Sequence, residues 1–177
     1  MINKTVKYWT SEEIVNLVKA FENCTLPRDE WTHQAHLIVA LWYLTHYSQS
    51  KATNCIKNRI QNYNNAIALA KRGALSAQRC CKQIGIKTTK DSGYHETITL
   101  FWIKIVWQYL IVEGKNLSLV DLVNDLSHHY SNPRLPLEYY SCDRLMSWQA
   151  RRSWEATTYN RVSAYKATVA AEVANVN

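Results

Sequence analysis

Between Thr10 and Glu22 the hydrophobic positions Ile14, Leu17, Val18 and Phe21 recur every three or four residues. That is the period of an α-helix with one buried face. Thr10 and Glu13 have capping-box spacing, which places the helix start at Thr10. "CTLPRD" closes it, because Pro27 cannot continue a helix but suits the first turn of the next one. Residues 30 to 44, "EWTHQAHLIVALWYL", are apolar nearly all round, so a helix from about Glu30 to His46 is expected to lie centrally. A third helix is expected from about Ser50 to Ala70, with Cys55, Ile56, Ile60, Tyr63 and Ala66 turned inward.

Residues 71 to 93 read as a basic connector. A fourth helix then runs from about Tyr94 to Val112 and stops at Glu113-Gly114, where glycine suits the position after a helix end. The fifth starts at Ser118, with Asp121 as its cap partner, and runs to about Tyr130. "SNPRLP" is a turn, and one or two short helices are expected between Leu137 and Trp154. The tail 156–177 is weakly patterned. The simplest assembly is all-α: a compact single-domain bundle of five to six helices over residues 1–155, with a basic connector and a short-helix C-terminal segment.

Composition agrees with this. A chain of 177 residues can bury a real core. Four Gly and three Pro argue against a loop-rich β architecture. The net charge of +7 is concentrated: nine Lys or Arg and no acid lie from Lys51 to Lys90, against 12 basic and 14 acidic residues elsewhere. Nucleic acid is therefore a partner only that segment would favour. Tyr63 is its single aromatic, so the base-stacking platform of single-strand binders is missing. Five cysteines without zinc-knuckle or CxxC spacing point to free thiols and a reducing cytoplasm. The N-terminus has no apolar signal region. The most apolar run, "ITLFWIKIVWQYLIV", is about 15 residues long and interrupted by Lys104 and Gln108, too short to span a bilayer.

The chemistry lies in the histidines. His33 and His36 are three apart, about 60° on a helix, and can share one target. Ala40 and Tyr43 continue that stripe, and the small residue leaves room beside the imidazoles. On the fourth helix Thr97, Lys104 and Gln108 cluster on one side and are expected to face water. His95 then points inward, in line with Thr99, Trp102, Val106 and Tyr109, with Glu96 on its flank. His33, His36, His95 and Glu96 together have the composition of a first shell for one divalent transition metal, Zn, Fe or Mn. The same residues also make a metal-free polar pocket, in which a histidine acts as general base, or serve only as core residues satisfied by Tyr, Thr or backbone groups.

Two sharper patterns are incomplete. Glu30-x-x-His33 and Asp125-x-x-His128 have the spacing of carboxylate-bridged di-iron bundles, but that architecture needs further inward carboxylates. His95-Glu96 is a weak analogue of the His-Asp pair of helical phosphohydrolases. Near the C-terminus, "YYSCDRLMSWQARRSW" places Arg144 and Arg151 seven apart with Ser147 between them. Two guanidiniums and a hydroxyl suit a carboxylate or phosphate. The plainer alternative is ordinary pairing of the arginines with surface acids.

The blocks "WTHQAHL", "GYHETIT" and "HYS…YYSCDRLMSWQARRSW" resemble the signature of an uncharacterised family of small bacterial all-helical proteins, over roughly residues 21 to 154. The resemblance implies a helical fold and a shared site at His33, His36, His95, Glu96, Arg144 and Arg151, and no particular reaction. This chain departs from it in a longer connector and in its tail.

The expectation is thus an enzyme, a metal-dependent hydrolase or oxygenase, acting on a small anionic substrate. Glu96, His95 and Tyr43 would be catalytic, and Arg144, Arg151 and Ser147 would hold the anion. The alternative is a non-enzymatic module binding nucleic acid or an acidic partner through residues 51–90.

Overall fold

The computed structural model describes residues 7–71, 93–114 and 117–155. All regular structure among them is helical: α1 (Ser11–Glu22), α2 (His33–His46), α3 (Gln49–Lys71), α4 (Glu96–Glu113), α5 (Leu119–His129), a 3₁₀ turn (Leu135–Glu138), α6 (Cys142–Leu145) and α7 (Trp148–Arg152). None of the helices searched is long and apolar enough to cross a membrane.

Local chemistry sets most helix starts. Thr10 accepts from the Glu13 N–H while Glu13 accepts from the Thr10 N–H, a complete capping box. Ser118 caps α5 by accepting from the Asp121 N–H. α1 ends at Glu22, five residues before Pro27, and a left-handed turn follows it. Cys24 has φ 57°, and the Cys24 and Thr25 N–H groups donate to Phe21 and Ala20 carbonyls. This is a Schellman ending with cysteine where glycine is usual.

Two starts differ from the pattern. α2 opens at His33 rather than Glu30. Residues 27–30 close into a turn, with the Glu30 N–H on the Pro27 carbonyl, and Thr32 caps the helix through the Ala35 N–H. α4 opens at Glu96 because His95 itself is the N-cap. Gly114 ends α4 with an ordinary right-handed φ of −68°, so it is not a left-handed cap.

α2 is the central element, packed against α1, α3, α4 and α5. Leu37, Ile38 and Leu41 on it are fully buried. The core continues through Phe21 of α1, Tyr63 of α3, Val106 of α4 and Leu126 of α5. Asn124 of α5 ties down the segment before α1 by pairing with both the N–H and the carbonyl of Trp9. On α4, Lys104 is exposed as expected. Thr97 is not: it is fully buried under the C-terminal segment, because its hydroxyl donates to the Ser153 carbonyl and accepts from the Glu155 N–H.

Candidate functional site

α2, α3 and α4 line a cavity of about 190 Å³. α2 contributes His36, Val39 and Ala40, α3 contributes Ile56, Ile60 and Asn64, and α4 contributes Ile98, Thr99, Trp102 and Ile103. The segments leading into α2 and α4 complete the wall with Arg28, Trp31, Tyr94 and His95. Ala40 falls one turn beyond His36 on the same face, and its single methyl group leaves space beside the imidazole.

The rings of the wall are held from behind. Trp31 stacks on Phe21 with centroids 4.4 Å apart and planes 10° apart. Trp102 meets Phe101 edge-on at 5.5 Å and His33 at 4.6 Å. Both indoles are therefore fixed surfaces.

His36 faces this cavity with a defined tautomer. Its Nδ1 lies 2.6 Å from the Thr32 carbonyl oxygen, which can only accept, so Nδ1 carries the proton and Nε2 the lone pair. The ring lies 3.9 Å from that of Trp31. Burial lowers its pKa to about 4, against the opposing effect of the Thr32 bond and with a further lowering by the charges of His33 and Arg28. His36 is therefore neutral at neutral pH. Arg28 reaches the Asn64 amide oxygen at 3.4 Å and makes no ion pair among the described residues.

The other expected site residues are placed elsewhere or are fully engaged. His33 does not line the cavity; its Nε2–H donates to the Tyr130 carbonyl at 2.8 Å, tying α2 to the end of α5. Burial holds its pKa below the usual imidazole value. His95 points inward, as the phasing of α4 predicts, but both nitrogens are occupied. Nδ1 accepts from the Ile98 N–H at 3.3 Å, and Nε2–H donates to the Leu145 carbonyl at 2.9 Å. Its pKa is also lowered, first by burial. Glu96 has one oxygen on Lys57 at 2.5 Å and the other on the Tyr94 hydroxyl at 2.6 Å.

Among the described residues no three His, Cys, Asp or Glu side chains come together in a set able to hold a metal ion. His33, His36, His95 and Glu96 share a region of the fold but not a focus, because three of the four are drawn away by carbonyls, by a helix end or by a lysine. Tyr43 lies outside the cavity and donates to Glu22 at 2.5 Å. Burial and that carboxylate push its phenol well above the usual range, so it is a structural donor.

The three residues expected to hold an anion are likewise employed in structure. Ser147 caps α7 through the Ala150 N–H. Arg144 pairs with Glu155 at 3.2 Å. Arg151 is half-buried, with Nε lacking a hydrogen-bond partner among the described residues, and its charge helps keep His95 neutral. In the basic segment, Lys57 is paired with Glu96 and Arg59 donates to the Glu22 carbonyl. Lys51 covers the Tyr47 ring at 4.4 Å. The remaining basic positions of 72–90 lie outside the described residues, as does the tail 156–177.

Arg28, Asn64 and Tyr94 are site residues that no sequence pattern singled out. Arg28 sits in a turn and Asn64 on a polar stretch of α3, and nothing local marks either. The fold and cavity define a helical bundle with a small, mostly apolar chamber lined by one arginine and two histidines, of which His95 has both ring nitrogens engaged and His36 one. No family model, no curated protein and no solved structure matches the chain, so the resemblance to small bacterial helical proteins rests on its short blocks alone.

Proposed function

We propose that the protein is a small-molecule enzyme whose substrate enters the α2–α3–α4 cavity and gives up a proton to His36. The observation that carries this reading is the tautomer of His36. A carbonyl fixes the proton on Nδ1, which leaves the Nε2 lone pair on a side chain that lines the cavity. A histidine held in this way is ready to accept a proton without first losing one. Arg28, on the same wall and without a carboxylate partner among the described residues, would take the anionic group of the substrate. An anion there also offsets the charge that disfavours protonated His36, raising its basicity when substrate is bound.

This version of the site needs no metal step. A metal-binding version would recruit His33, His95 or Glu96, and each would first have to leave the bonds described above.

The test uses a panel of small carboxylic acids and their esters, followed by proton NMR and by the fluorescence of Trp31 and Trp102. At least one member is expected to quench the cavity tryptophans and be converted, with His36→Gln slowing conversion by about a hundredfold or more. Conversion at an unchanged rate in His36→Gln would remove His36 from the chemistry.

A further inference from the structure

The cavity also limits what can fill it, and this step rests on the reading of the cavity as a ligand site. Its volume is about 190 Å³. An apolar protein cavity of about 150 Å³ accepts benzene. One six-membered ring with one or two small substituents therefore fits within it.

The wall favours a flat ring over a puckered one. Trp31 and Trp102 present indoles already fixed by Phe21 and Phe101, so an aromatic ring gains stacking or edge contacts without ordering its partners. Val39, Ala40, Ile56, Ile60, Ile98 and Ile103 add aliphatic surface around them. The polar groups are few and of different kinds. Arg28 is an exposed cation at the cavity wall, fit for a carboxylate. His36, deeper on α2, offers an acceptor to a hydroxyl or N–H. The nearby carboxylate, Glu96, is neutralised by Lys57 and does not oppose an incoming anion.

We infer that the ligand is a monocyclic aromatic carboxylate bearing a hydroxyl or N–H substituent, with its ring beside Trp31 and Trp102, its acid on Arg28 and its donor on His36.

Titration calorimetry on the full chain with 4-hydroxybenzoate, cis-4-hydroxycyclohexanecarboxylate and phenol tests the assignment. The aromatic acid is expected to bind at least about tenfold tighter than either of the others. Arg28→Gln, a change at an exposed position, should weaken 4-hydroxybenzoate by about tenfold or more and leave phenol unaffected. Equal binding of the saturated acid would overturn the aromatic class while leaving the ligand-site reading intact. Equal binding of phenol, or an Arg28→Gln protein with unchanged affinity for the acid, would overturn the carboxylate assignment. If neither the three probes nor toluene perturb the fluorescence of Trp31 and Trp102, both the inference and the ligand-site reading fail.

Discussion

The cavity between α2, α3 and α4 and the seam where α4 meets the C-terminal segment each hold a histidine, half-buried His36 in the first and buried His95 in the second, and they use it in opposite ways. At the seam the polar groups are consumed in holding the chain together. His95 caps α4 and grips Leu145, Thr97 clasps Ser153 and Glu155, Tyr140 donates to the Glu155 carbonyl, and Arg144 pairs with the Glu155 side chain. At the cavity His36 commits one nitrogen to Thr32, and Arg28 reaches the Asn64 amide oxygen at long range and makes no ion pair among the described residues. Burial of an imidazole therefore does not mark a site. The proposed site rests instead on hydrogen-bonding capacity that the fold leaves unused.

The largest test of this contrast is pH. His33, His36 and His95 all have lowered pKa values in the folded chain, first through burial. Above the ordinary value of 6.5 all three are neutral in folded and unfolded chains alike, and stability is complete. As pH falls below 6.5 the unfolded chain takes up protons that the folded one refuses, so stability is lost progressively down to about pH 4, the value for His36. His36 alone accounts for at most about 3 kcal/mol, and less to the extent that cavity water solvates its ring. Urea unfolding at pH 7, 6, 5 and 4 reads this loss. Saturation with an acid bound at Arg28 should shrink the His36 share and leave that of His95.

Next is His95→Ala, expected to cost about 3 kcal/mol, since it removes a helix cap and strands the Leu145 carbonyl. His95→Asn should recover about 1 kcal/mol by restoring the cap alone. His36→Ala loses one bond to a carbonyl that already accepts the His36 N–H, so about 1 kcal/mol is expected. Equal costs for the two alanine variants, measured by denaturant unfolding, would erase the distinction between seam and cavity.

Thr97→Val keeps the shape but leaves the Ser153 carbonyl and the Glu155 N–H without their partner, at about 2 kcal/mol. Limited proteolysis should then cut near residue 155 first, with ligand binding in the cavity unchanged. The smallest effect belongs to the cavity side. Cys24 holds a left-handed φ in the turn that delivers Arg28, so Cys24→Gly should raise stability by up to about 1 kcal/mol in thermal unfolding.

The helices were legible wherever a local rule defines them. Thr10 with Glu13 and Ser118 with Asp121 are caps read from a three-residue spacing, and the inward faces of α1 and α3 follow from periodicity. The buried Thr97 was not legible, since a threonine beside Lys104 and Gln108 looks like part of a wet face until a distant strand of chain covers it. The inward turn of His95 was legible from the phase of α4, but its use as a cap was not, because histidine at that position has no textual signal. Arg28 and Asn64 are 36 residues apart and meet only because α3 returns past the turn before α2.

The chain's own order of residues determined an all-helical bundle with an apolar α2 at its centre and two histidines on one stretch of that helix, because periodicity and capping act within a few residues. Only the tertiary structure decided what each imidazole does. His33 and His95 are claimed by carbonyls 97 and 50 residues away, whereas His36 is held by its own helix start. A ring nitrogen bonds whichever acceptor the packed chain brings within about 3 Å, and that choice is made by the fold as a whole.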